Sequence, residues 1–182
     1  TDPYSEIVYK TALSEFQRLQ SSGSLVRESE PCLYLYQQTM GNHVQTGVAC
    51  VCHIDDYEQN IIKKHEKTRK DKEDDRTKLI DTLSADTGPV FLTYRDDAQI
   101  NALVNHTLQS EKPSADFVAP DGIRHTVWRI RGGSDYVKAF ASVWVGLQVR
   151  HKRLIKSLSI LHNALEKNVS IEIINFKVKT VD

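Results

Sequence analysis

From Lys63 to Lys78 the chain has no large apolar residue, a gap of about four helical turns. Twelve of the fourteen residues from Lys63 to Arg76 carry a formal charge, seven basic and five acidic, with only His65 and Thr68 neutral. Ile61-Ile62 precedes the block, and Leu79-Ile80 follows it. A helix normally docks through an apolar stripe, and this stretch has none. The block is therefore either a solvated helix laced by ion pairs or a surface for a charged ligand. If it is helical throughout, His65, Arg69, Lys72 and Arg76 fall along one stripe at steps of three or four. Such a stripe suits a phosphate or carboxylate, with Arg69 and Arg76 as two-pronged donors and His65 as a titratable group. Glu66, Glu73 and Asp74 are spaced to pair with Lys70, Arg69 and Lys70 in turn, each pair worth about 0.2–0.5 kcal/mol.

The rest of the composition narrows the classes. The chain has 182 residues, 40% of them hydrophobic, enough for one core or two small ones. Its net charge is zero, so it has no bulk attraction for nucleic acid or membrane. Charge is unevenly spread: residues 1–60 hold three basic and eight acidic side chains, residues 150–182 seven and three. Three cysteines, two of them in one strand, argue against a disulfide framework and for a reducing, cytoplasmic setting. We read no signal peptide at its start and no apolar run of the roughly 20 residues that a membrane span needs.

Along the chain, Asp2-Pro3 reads as a helix start, and Ile7, Val8, Ala12, Leu13, Phe16 and Leu19 recur at helical spacing. Residues 32–39 and 44–54 are strand-like around Gly41-Asn42, a β-hairpin. The second strand is apolar on both faces, which predicts a central position. A short strand follows at 90–94, then a helix from the Asp96-Asp97 cap to about Leu108. Residues 117–119 and 123–130 flank Pro120-Asp121-Gly122 as a second hairpin. Helices are expected over 135–143 and 150–168, with a last strand over 169–178. The mixed order is that of an α+β fold, two hairpins in a mixed or antiparallel sheet with packed helices.

Three other motifs invite chemistry. His65-Glu66 begins a zinc-protease pattern, but the second histidine is replaced by Arg69. Cys50-Val51-Cys52-His53 lacks the second ligand pair of a zinc site, so buried strand cysteines are the simpler reading. His125, alone on the second hairpin, reads as structural. Arg150-His151-Lys152-Arg153 is basic and opens a helix, where the dipole favours anions.

Several stretches match one known family. Asp2-Pro3-Tyr4-Ser5, Tyr34-Leu35-Tyr36-Gln37-Gln38-Thr39-Met40-Gly41, His65-Glu66-Lys67-Thr68-Arg69, Lys72-Glu73-Asp74-Asp75-Arg76, Thr87-Gly88-Pro89 and Asp121-Gly122-Ile123-Arg124-His125 carry the likeness. The chain resembles the central part of the uncharacterised family called domain of unknown function 1015. Members of that family are about twice as long. They run on into a strand ending Asp-Gly-His-His-Arg, which is similar to the phosphate-binding motif of ParB- and sulfiredoxin-like proteins, free-serine kinases among them. Here that place holds Val149-Arg150-His151-Lys152-Arg153, so only His151 and Arg153 match.

The resemblance implies a core over 1–148 with a diverged helix–strand tail over 149–182, a fragment, a truncated copy or a frameshift product. It also implies a ligand with phosphate: a nucleotide, with or without magnesium, or a phosphorylated small metabolite. His65, Arg69, Lys72, Arg76, His151 and Arg153 would bind its oxygens. Glu66 and Asp74 would act as base or hold a ligand-borne metal. The expected activity is small-molecule kinase-like, or none if the altered motif has inactivated the chain. The alternative is a non-catalytic protein- or nucleic-acid-interaction module. Nucleic acid is disfavoured, because acids interleave with bases in the block and no aromatic there can stack on a base.

Overall fold

Gly41 takes φ +57° at the first central position of the Gly41-Asn42 turn, the place where a II′-type hairpin favours glycine. That turn joins strand β1 (Leu33–Met40) to β2 (His43–Cys52), with Met40 opposite His43 and Leu35 opposite Val48. The computed structural model of the chain describes residues 4–62, 69–88, 90–142, 145–147 and 171–176. Helices α1 (Glu6–Ser21), α2 (Ile54–Glu58), α3 (Lys70–Leu83), α4 (Ala98–Ser110) and α5 (Ser134–Ala141) accompany β3 (Val90–Tyr94), β4 (Ala115–Val118), β5 (Arg124–Ile130), β6 (Val145–Leu147) and β7 (Ile171–Phe176). The fold is α+β.

The two hairpins share one mixed sheet, in the order β4-β5-β1-β2-β7-β3-β6. β5 lies on the other side of β1, bringing Trp128 opposite Leu35. β7 runs antiparallel to β2 and parallel to β3, so β2 is central, as its two apolar faces predict. Alternation then sets Leu35, Val48 and Trp128 on one face. Tyr136 of α5 completes that buried cluster, and Leu33, Leu103, Val104, Leu108, Ile130 and Phe140 pack around it. Full burial of a side chain such as Leu35 or Val48 contributes about 1.5–3 kcal/mol by leaving water.

The helices on this face are anchored by polar groups at defined points. Asp97 caps α4, accepting from the backbone N–H of Gln99 (2.9 Å) and Ile100 (3.0 Å). Tyr136 donates to the carbonyl of Leu103 (2.8 Å) and shares a 2.8 Å hydrogen bond with Thr107. Gly133 admits α5 close to the sheet, since a Cβ there would come within 2.5 Å of Leu33 Cδ1.

Three expectations change. The second strand ends at Cys52 rather than at Ile54. Ile54 opens α2 instead, because His53 caps it by accepting from the backbone N–H of Asp55 at 3.3 Å. Helix α1 begins at Glu6 after Ser5, and the proposed start at Asp2-Pro3 lies outside the described residues. In α1 the buried side chain is Tyr9, while Ile7 is 64% exposed; Ala12, Leu13, Phe16 and Leu19 are partly buried, as their spacing predicts. The helix expected over 150–168 lies outside the described residues, and the last strand is described as β7.

Candidate functional site

The charged block is a helix only from Lys70 onward. Arg69 has extended backbone (φ −72°, ψ 132°) and stands at the N-cap of α3. The four-residue stripe is thereby corrected: Arg69 sits at the mouth of the helix, with Lys72 and Arg76 on its first two turns. His65 and Glu66 lie outside the described residues, as do His151 and Arg153.

Arg69 grips its own neighbour. Its Nε and one terminal nitrogen donate to Asp71 at 3.1 and 2.8 Å. This outweighs the upward push of burial on Asp71 and holds its carboxyl below the usual range. The Arg69 side chain is 70% exposed, so the pair adds little to stability. Lys70 donates to both oxygens of Asp74 at 2.9 and 3.1 Å, the pairing that the spacing predicts, and Asp74 raises the Lys70 pKa. Arg76 is exposed.

Glu73 departs most from expectation. Its spacing suggests a surface pair with Arg69, yet it is only 5% exposed. It lies near enough to Tyr57 of α2 that its charge adds to the effect of burial in raising the tyrosine pKa. The middle of α3 is held by polar contacts with α1 and with Tyr4 just before it. Lys72 donates to the Tyr4 hydroxyl. Tyr9, 4% exposed, donates to Asp75 at 2.7 Å. Lys78 donates to Glu6 and lowers the Glu6 pKa, while its ammonium stands 4.6 Å from the Tyr9 ring centre. A polar clasp thus replaces the missing apolar stripe, and farther along α3 Ile80 and Leu83 are buried.

Of the expected site residues that are described, the structure brings Arg69, Lys72, Asp74 and Arg76 to one end of α3. It commits Lys72 to Tyr4 and Asp74 to Lys70. Sequence reasoning missed Tyr4, Tyr9, Tyr57, Glu73 and Asp75. A signal existed for Tyr9, which precedes Ala12, Leu13 and Phe16 at helical spacing. Nothing local marked Glu73 as different from the acids around it.

Elsewhere, the sheet face opposite the core carries a row of rings. His125 stacks between Tyr36 and Phe117, with centroids 5.8 and 5.2 Å away, and its Nδ1 shares a 2.5 Å hydrogen bond with the Tyr36 hydroxyl. Among the described residues, no group of three or more His, Cys, Asp or Glu side chains is placed to hold a metal ion, and no helix is long and apolar enough to cross a membrane.

A mixed sheet with helices on one face and a charge-clasped helix pair defines a small α+β protein. Residues 1–143 match the family described as protein of unknown function (DUF1015), and the chain belongs to that family. A second match, to the tetracyclin repressor-like C-terminal domain, spans residues 124–182, less than half of the chain. Comparison with curated proteins and with solved structures gave no match.

Proposed function

We propose that the start of α3 binds the phosphate of a nucleotide or phosphorylated small metabolite. The observation that carries this reading is the pair of exposed guanidinium groups at the opening turns of one helix. Arg69 stands at the N-cap, where the helix dipole favours an anion, and Arg76 lies two turns on. Among the described residues, Arg69 is held by a solvent-exposed carboxylate, Asp71, which an incoming phosphate can displace. Lys72 is held beside them by Tyr4, and His65 belongs to the same block in sequence. In this reading His151 and Arg153 add further anion contacts, and Glu66 and Asp74 hold a magnesium ion carried by the nucleotide or serve as base in a kinase-like transfer. A cytoplasmic setting suits such a ligand.

The test is thermal unfolding with a panel of nucleotides and sugar or amino-acid phosphates at millimolar concentration. At least one should raise the midpoint, and Arg69→Ala combined with Arg76→Ala should abolish the rise. Asp71→Asn should enlarge it by releasing Arg69. The reading fails if no compound shifts the wild type.

The row of Tyr36, His125 and Phe117 favours a second reading, a non-catalytic module that docks a protein on the open sheet face, where Phe117 is 55% and Val51 48% exposed. Binding that survives the double arginine substitution and is lost with Phe117→Ala would select it.

A further inference from the structure

β4 stands at one end of the sheet, and among the described residues it pairs on one side only, with β5. All of its residues are exposed, Val118 by 64%. An uncovered strand edge is a template for another chain, and sequences usually blunt it with charge or proline. Within β4 the charged residue is Asp116, and it is already neutralised: Arg124 donates to it through two nitrogens, and the Thr126 hydroxyl donates at 3.1 Å. The hairpin turn sets the phase of the edge. The Ala119 N–H donates to the Ile123 carbonyl at 2.9 Å, so alternation turns the backbone groups of Phe117 and Ala115 toward β5 as well. Asp116 and Val118 therefore present their N–H and C=O groups outward.

We propose that this edge joins a second copy of the chain in an antiparallel two-fold pair. The outward groups dictate its register. Asp116 facing Asp116 would oppose like charges, and Val118 facing Val118 would set Asp116 against Pro120, which has no N–H. Asp116 facing Val118 avoids both, and two-fold symmetry makes that pair twice. Phe117 then faces Phe117 of the second copy in a close, non-hydrogen-bonded pair. Phe117 is the outer ring of the row, 5.2 Å from His125, so Tyr36, His125 and Phe117 run on into the same rings of the copy. A four-residue strand buries less than the roughly 1,600 Å² of a standard interface, so the dimer is concentration-dependent. The pairing runs through backbone at the sheet's edge and holds or fails independently of phosphate binding at α3.

The experiment is sedimentation velocity over a concentration series. Wild type should rise from the mass of one chain toward that of two. Val118→Pro should stay at one chain, because the N–H it removes faces outward and no bond within the sheet is lost. A wild type that stays at one chain throughout, or a Val118→Pro variant that rises equally, overturns the proposal. Should Val118→Pro fail to fold, disulfide trapping decides. Facing positions of a non-hydrogen-bonded pair stand about 4.5 Å apart at Cα, within disulfide reach. Phe117→Cys should therefore cross-link two chains under mild oxidation, and Ala115→Cys, displaced from its own copy in this register, should not. No cross-link from Phe117→Cys, or equal cross-linking from both variants, overturns the pairing.

Discussion

The α4–α5 side of the sheet and the α1–α3 pair solve the same problem with opposite chemistry. Against the sheet, Leu35 (0% exposed), Val48 and Trp128 are fixed by the burial of apolar surface. Between α1 and α3, Tyr9–Asp75 and Lys78–Glu6 hold two helices together, Lys72 adds a bond to Tyr4 just before α1, and Glu73 is buried nearby. Apolar packing is non-directional and tolerates small shifts. The clasp depends on direction and charge, and its ion pair, Lys78–Glu6, is exposed enough to be screened by salt. Stability is therefore concentrated in the apolar cluster, while the α1–α3 contacts depend more on solution conditions.

Single substitutions can break this contrast, and the largest effect belongs to the core. Leu35→Ala should cost about 2–5 kcal/mol in denaturant unfolding, nearly independent of salt. Glu73→Ala comes next, at about 1–3 kcal/mol, because the groups that face the buried carboxylate lose their partner. A Glu73→Ala cost below that of a surface substitution would remove Glu73 from the clasp. Tyr9→Phe should cost about 0.5–1.5 kcal/mol, the net worth of its bond to Asp75.

The pH dependence sharpens the same contrast. Burial pushes Tyr94 up to about 12 and also raises Tyr57 and Tyr136 above 10. A raised phenol keeps its proton in the folded state after the unfolded chain has lost it. Its contribution is thus complete below pH 10 and disappears as pH rises toward 12. Tyr94→Phe should flatten that fall. In acid the sign reverses: Glu6 is lowered below 4.5 by Lys78, so its support is present above that value and lost as pH falls through the folded value. Lys78→Ala should remove the Glu6 share of the acid-side loss while leaving the alkaline side unchanged. The smallest effect is expected from Lys70→Ala, within about 0.5 kcal/mol, since its pair with Asp74 is an exposed one-turn contact.

Much of the sheet was legible because its rules are local. Gly41-Asn42 and Pro120-Asp121-Gly122 mark turns, and apolar residues on both faces of the strand read over 44–54 predict its central place. Asp97 announces α4 by its capping chemistry. The clasp was not legible, because nothing near Asp75 in sequence predicts Tyr9 as its partner, 66 residues away. The same holds for Glu73, whose burial is decided by tertiary packing and leaves no periodic trace. At Ile54 the apolar run extends the strand on paper, but the His53 cap turns the chain into a helix two residues earlier. Of the candidate site, the arginines were visible as charge, while their unequal engagement, Arg69 with Asp71 and Arg76 exposed, needed coordinates.

The position of β7 has a kinetic consequence. β2 and β3 end by residue 94, yet the strand between them, residues 171–176, arrives more than a hundred residues after the Cys52 that it pairs with. The β1–β2 and β4–β5 hairpins can form early from near neighbours, whereas the sheet's centre must wait for a costly long-range closure. Until then β2 presents an unpaired edge carrying Val48, Cys50 and Cys52, the kind of edge that recruits other chains. Slow refolding with concentration-dependent aggregation, relieved by supplying residues 171–176 as a peptide, would be the signature of that wait.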